Sequence, residues 1–257
     1  RTSCSSARCY AFSAALQVYP ELMTPVQYTL AVTLPEDETL DTFYGAETSP
    51  VVGYIKHFLT TPSEHRLPLY LFGASGSGKS HLLYAACVQA QELGLTSQLL
   101  SLEDFKAWSP RILDQLEELD LVCLDNIQAI AGDISWQVAV FDLYNRMTEQ
   151  GKALIIVADQ APTELGITLP DLVSRLQACT SFQLRLLGDE DKQKLLQQKA
   201  RLRGMELPDE VARFLLNRQQ RDIRELVQIL DLLDKASIVH QRKLTIPFVK
   251  DMLSLSH

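Results

Sequence analysis

The sequence predicts an α/β protein, a parallel sheet wrapped by helices and followed by a small all-α domain, and three observations predict it. From Leu67 onward, short apolar runs alternate with amphipathic stretches, the pattern of strands joined by crossover helices. A glycine-rich segment, Gly73, Ala74, Ser75, Gly76, Ser77, Gly78, Lys79 and Ser80, sits where one such run passes into a helix. After Leu187 the apolar spacing changes to about 3.6 residues and stays there.

The strand candidates are 69–72, 98–102, 121–124, 154–158 and 182–186, five in all, several apolar enough to be covered on both faces. Between the third and fourth lies a clear helix, in which Trp136, Val140, Leu143, Tyr144 and Met147 share one face until Gly151 stops it. In the C-terminal part Asp189 is expected to cap a helix running toward Gly204, and Pro208 to stand in the first turn of the next. A third helix is expected over Asp222 to His240, and a last one starts near Thr245 with Pro247 in its opening turn. The expected organisation is an N-terminal tail over 1–34, a nucleotide-binding α/β domain over 35–187 and a helical domain over 188–257. No internal repeat or low-complexity tract interrupts it.

A chain of 257 residues with 46% hydrophobic and 22% charged residues can bury a full core. Its net charge of -8 argues against a broad, sequence-independent grip on DNA, which needs many cations over phosphates. Cys4, Cys9, Cys87, Cys123 and Cys179 form no CxxC pair, which fits reduced thiols and a cytoplasmic setting. The five histidines lack HExxH spacing, so zinc is not expected. The apolar run 10–18 is short and broken by Ser13 and Gln17, and Met23 reads as the natural start. No run of about 20 apolar residues predicts a membrane span.

The glycine-rich segment is a complete GxxxxGK[ST] loop. Its glycines let backbone N–H groups wrap phosphates, Lys79 reaches the β and γ phosphates, and Ser80 holds magnesium. The run Leu121 to Asp125 is an apolar strand ending in the acid expected beside that magnesium. The next residue is Asn126, where hydrolytic enzymes commonly carry a carboxylate to orient water; an amide cannot take a proton, so weak intrinsic hydrolysis is expected.

With these motifs the segments 80–87, 141–146 and 169–176 resemble the DnaA family of AAA+ proteins, and the likeness runs from about Gln27 to the end. Within that family Asp125-Asn126-Ile127, the segment 34–39 and the segment 242–249 are most similar to the Hda branch. The resemblance implies an AAA+ P-loop domain with a helical lid. It implies that Asp159 is the sensor 1 position, that Arg224 is sensor 2, and that the segment Thr39 to Gly45, with Tyr44 and Gly45, packs beside the base; His81 joins the nucleotide set. Read from the residues alone, Asp159 is equally a turn former, and the alternative for Arg224 is a helix-surface ion pair with an acid such as Asp222 or Glu225.

The same resemblance makes Arg175 an arginine finger, entering a neighbour's nucleotide site, whereas composition alone would allow a surface ion pair. Gln27, Tyr28, Thr29, Leu30, Ala31 and Val32 resemble the segment by which the branch docks on the sliding clamp, with Tyr28 and the small Ala31-Val32 end departing from the pattern. The implied cofactors are a nucleoside diphosphate, ADP, with Mg2+. The implied partners are DnaA and the β sliding clamp of DNA polymerase III, with DNA met only through the clamp, and homo-oligomerisation is left open. The competing readings are a DnaA-like initiator or helicase loader, and a self-contained P-loop ATPase or kinase.

Overall fold

The computed structural model describes residues 38–45, 49–61, 66–218, 223–240 and 244–254. The clamp-like segment 27–32, the tail 1–34 and Asp222 lie outside these residues. The chain divides into two compact units, with the boundary between Leu184 and Arg185.

In the first unit α1 (Pro50–Thr60) precedes β1 (Leu69–Phe72), α2 (Lys79–Glu92), β2 (Ser97–Ser101), the short α3 (Leu102–Phe105), β3 (Leu121–Asp125), α4 (Ile134–Glu149), β4 (Ala153–Ala158), α5 (Pro170–Ala178) and β5 (Thr180–Gln183). The strands form one sheet in the order β2-β3-β4-β1-β5, and every neighbouring pair is parallel. Strand side chains alternate between faces. Tyr70, Val122, Leu124, Leu154 and Ile156 therefore join α4 and α5 in one core, while Leu69, Leu71, Leu121, Cys123, Ile155 and Val157 join α1 and α2 in the other. This two-sided burial is what the continuous apolar runs predict for β1, β3 and β4.

β3 and β4 are each one residue longer than expected, and two strands are displaced from the sequence reading. β2 stops at Ser101 because Ser101 turns into an N-cap, its hydroxyl accepting from Asp104 N–H, and Leu102 opens α3. β5 spans 180–183 instead of 182–186, because it pairs only with β1, whose four residues run out at Phe72. One bond beyond the ladder, from Leu184 N–H to Phe72 O at 2.7 Å, closes it.

α4 behaves as its pattern predicts. Asp133 caps it through bonds from Ser135 and Trp136 N–H, its apolar face is buried, and Gly151, with φ of 63°, follows its last turn.

The second unit holds α6 (Asp189–Leu202), α7 (Asp209–Arg218), α8 (Ile223–His240) and α9 (Ile246–Ser254) around a third core that includes Leu196, Leu215, Leu226, Leu230, Leu233 and Val249. Gly188, not Asp189, is the N-cap of α6. Asp189, Glu190 and Asp191 instead fill its first turn, where negative charge meets the positive end of the helix dipole. Gly204, at φ 73°, ends α6 with Met205 N–H bonded to Ala200 O at 2.9 Å. Pro208 stands just before α7, its carbonyl accepting from Val211 and Ala212 N–H, and Pro247 lies in the opening turn of α9. No helix among the described residues is long and apolar enough to cross a membrane.

Candidate functional site

The glycine-rich loop lies between β1 and α2, on the edge of the sheet where the parallel strands end. Gly73 has φ of 156°, and a Cβ built there would lie 2.2 Å from Leu184 O, so any side chain would collide with backbone. Gly76 and Gly78 take φ of 79° and 94°, conformations that glycine adopts at little cost. A Cβ at Gly78 would come within 2.9 Å of the Phe43 ring, so the segment carrying Phe43 presses directly on the loop. Lys79 folds its ammonium back over the loop, donating to Gly73 O at 2.5 Å and Ala74 O at 2.9 Å.

Ser80, in the first turn of α2, donates its hydroxyl to Asp125 Oδ2 at 3.2 Å. That bond joins two residues 45 positions apart at the ends of α2 and β3, the two expected to share a magnesium ion. Asp125 also accepts from Asn126 N–H at 2.9 Å. Asn126 is left-handed, with φ 57° and ψ 48°, a conformation that asparagine tolerates better than most residues. Its Oδ1 accepts from Gln128 Nε2 at 3.2 Å.

Register places Asp159 in the same cluster. Phe72 pairs with Ala158, so Gly73 and Asp159 leave adjacent strands at the same level, and β4 lies directly between β1 and β3. Tyr70, whose hydroxyl donates to Gln160 O at 2.8 Å, has its pKa raised, first by burial and then by the charge of Asp159. Tyr84, one turn beyond Ser80, is raised by burial and by the acids around it, Glu38 and Asp125 among them.

The segment Thr39 to Gly45 closes onto the start of α2. Thr39 and Thr42 bond each other through hydroxyls and backbone, and Thr39 O accepts from His81 Nε2 at 2.9 Å. Since a carbonyl only accepts, this bond requires a proton on Nε2 of His81. The Phe43 ring meets His81 edge-on at 5.4 Å between centroids. Tyr44 and Gly45 complete this turn.

Arg175 stands apart from that cluster. It lies in the last turn of α5, exposed, with its guanidinium carbon 5.9 Å from the centre of the Tyr144 ring. No carboxylate among the described residues pairs with it. Tyr144 belongs to the core that α4 and α5 form on one face of the sheet, while the buried residues of α2 belong to the core on the other. Arg224 falls in the first described turn of α8, and its side chain lies outside the described residues.

Sequence reasoning missed Gln128 and Gln137, and it named the segment that holds Phe43 without singling out that ring. Phe43 and Gln128 act through contacts that no periodicity marks. Gln137 did leave a signal: it lies on the apolar stripe of α4 at the spacing of Val140, Tyr144 and Met147, where a polar residue needs a partner.

Several features fit a nucleotide with magnesium. The loop is a cradle that a Cβ at Gly73 would block, and Ser77 Oγ inside it is buried with no hydrogen-bond partner among the described residues. The Ser80 and Asp125 oxygens are hard ligands of the kind magnesium takes.

Residues 35–183 match the family model of the bacterial DnaA ATPase domain, and residues 189–253 match that of the Hda lid domain. Among solved structures, domain III of the Thermotoga maritima replication initiation protein DnaA superposes with a TM-score of 0.68 at 22% identity, covering 87% of this chain and 98% of that one. AMPPCP-bound DnaA from Aquifex aeolicus does so with a TM-score of 0.66 at 24% identity, covering 79% and 66%. The Thermotoga maritima RuvB Holliday junction branch migration motor follows at 0.60 and 17%, covering 85% and 72%. These likenesses show the fold, an AAA+ domain followed by a helical lid. With more than half its length matched by one family model and a lid matched by a second, this chain belongs to the bacterial DnaA ATPase domain family.

Proposed function

We propose that this chain is an Hda-like regulator of replication initiation, which binds ADP with magnesium, docks on the sliding clamp through residues 27–32, and promotes hydrolysis of ATP held by DnaA. The observation that carries the reading is a division of labour. An amide, Asn126, stands where a water-orienting carboxylate would serve the chain's own site, while Arg175 offers an exposed cation with no carboxylate partner among the described residues. Arg175 is exposed over Tyr144, whose core lies on the face of the sheet opposite the one that α2 covers, which favours delivery to a second molecule over use in its own loop. The match of residues 189–253 to the Hda lid supports this branch over an initiator.

In this reading Lys79 and the loop N–H groups hold the diphosphate, and Ser80 and Asp125 hold magnesium, which neutralises phosphate charge when bound. Asn126 can donate to water or phosphate oxygen but cannot act as a base, so the chain's own turnover stays low. Arg175, inserted into the DnaA site, neutralises charge that develops on the transferring phosphoryl group, an effect worth on the order of 10³–10⁵ when supplied in trans.

The test compares ATP turnover by the chain alone with turnover by DnaA plus chain plus clamp loaded on DNA. Low turnover alone and strong stimulation of DnaA are expected. Fast turnover by the chain alone, indifferent to DnaA and clamp, would favour a self-contained ATPase. Changing Gln27 and Leu30 together to Ala should abolish co-migration with the clamp and leave nucleotide content unchanged; retained co-migration would place the docking site elsewhere.

A further inference from the structure

Gln137 is fully buried in the first turn of α4, on its apolar face, a position where an amide costs stability unless its polar atoms are paired. Its Nε2 donates to Ile130 O at 3.1 Å. Its Oε1 accepts three bonds, from Thr168 N–H at 3.0 Å, Thr168 Oγ1 at 3.1 Å and Leu169 N–H at 2.9 Å. Ile130 ends the 3-10 turn that starts directly after Asn126, and Leu169 is the N-cap of α5. One side chain thus ties the backbone just after Asp125 and Asn126 to the backbone just before the helix that carries Arg175.

α5 needs such a tie. It has nine residues, only Leu172 and Leu176 of them fully buried, and its N-cap supplies no side-chain bond. Burial alone fixes a short, largely exposed helix weakly, so the bonds at its start set where Arg175 points. The same face of α4 also holds the far end. Tyr144, two turns beyond Gln137, lies under the Arg175 guanidinium, and Cys179 Sγ donates to Arg175 O at 3.4 Å.

We infer that Gln137 is a positioning residue for Arg175: its carbonyl oxygen fixes the start of α5 so that the cation projects in one direction. The inference rests on the trans-acting reading of Arg175 given above. It names an acceptor, not the whole amide, as the working group. Gln137→Glu, whose carboxyl burial favours in the neutral form, keeps an acceptor for Thr168 and Leu169 and offers an O–H to Ile130 O, whereas Gln137→Met keeps the shape and loses both.

The experiment measures DnaA-bound ATP hydrolysis in the presence of loaded clamp, as kcat and as the concentration of chain giving half-maximal stimulation. Misplacing a catalytic group by about 1 Å costs about 10²-fold, so Gln137→Met should lower kcat by about that factor and leave the half-maximal concentration and nucleotide affinity unchanged. Gln137→Glu should retain most of the stimulation. Thr168→Val, which deletes one part-buried hydroxyl bond from an exposed residue, should cost a few-fold and stands in if Gln137→Met does not fold. Full stimulation by Gln137→Met, or by Thr168→Val where that variant stands in, overturns the inference, as do equal losses in Gln137→Met and Gln137→Glu. Arg175→Ala separates the two levels. If it retains stimulation, the finger reading itself falls; if it loses stimulation while Gln137→Met keeps it, only the positioning role falls.

Discussion

Replacing Arg175 with Ala should be nearly silent in the protein that carries it and severe in the protein it acts on. In its own fold Arg175 is exposed, has no carboxylate partner among the described residues and touches the Tyr144 ring at 5.9 Å. An exposed cation over an aromatic ring contributes about 0.5–1 kcal/mol, which in a chain of this size lowers the melting temperature by about 2–4 °C at most. In trans, a loss on the order of 10³–10⁵ in rate corresponds to about 4–7 kcal/mol of transition-state stabilisation. The stability cost is several times smaller, so the two readouts separate cleanly. Thermal unfolding, calorimetric titration with ADP and clamp co-migration should all be close to the parent protein, while clamp-dependent hydrolysis by DnaA should collapse. A melting temperature lowered by 10 °C, loss of the chain's own nucleotide, or undiminished stimulation would each refute the reasoning.

Lys79→Ala removes a cation that bonds two loop carbonyls and is expected to grip phosphate; losing a charge-assisted bond worth about 1.5–3 kcal/mol should weaken ADP binding roughly 10- to 100-fold by calorimetry, with helix content unchanged in circular dichroism. Asn126→Asp keeps an acceptor for Gln128 Nε2 and adds a base, so single-chain ATP turnover should rise, on the order of 10²-fold, while DnaA stimulation persists. Alkaline pH should destabilise the first unit. Burial pushes the Cys179 thiol from its ordinary 9.0 up to about 12, and burial raises Tyr144 as well, so the fold favours the protonated forms. That stabilisation is complete below about pH 9 and is lost as pH rises toward about 12. Urea midpoints measured from pH 8 to 11 should fall across that window, and Cys179→Ala should flatten part of the slope.

Several features followed from local pattern alone. The loop 73–80 is readable because phosphate binding needs glycine conformations and a lysine at fixed spacing, and β3 because an apolar run ending in an acid has few other meanings. The apolar face of α4 and the glycines after it, and after α6, are readable because helix periodicity and left-handed caps are properties of a few adjacent residues. Strand ends are not of that kind. β5 starts two residues and ends three residues earlier than expected because its extent is set by β1, more than a hundred residues away in sequence.

The same distinction divides the candidate site. The residue types at Lys79, Ser80, Asp125, Asn126 and Arg175 were in the sequence, but their relations were not. That Ser80 bonds Asp125, that Phe43 presses on Gly78, and that Arg175 has a tyrosine ring instead of a carboxylate beside it depend on chain segments brought together by the sheet. Gln137 shows the limit most sharply. Sequence marks it as a polar residue on a buried stripe, and only packing decides that its oxygen meets two backbone donors at the start of α5, because hydrogen-bond partners 31 and 32 positions apart are chosen by tertiary contact and not by local propensity.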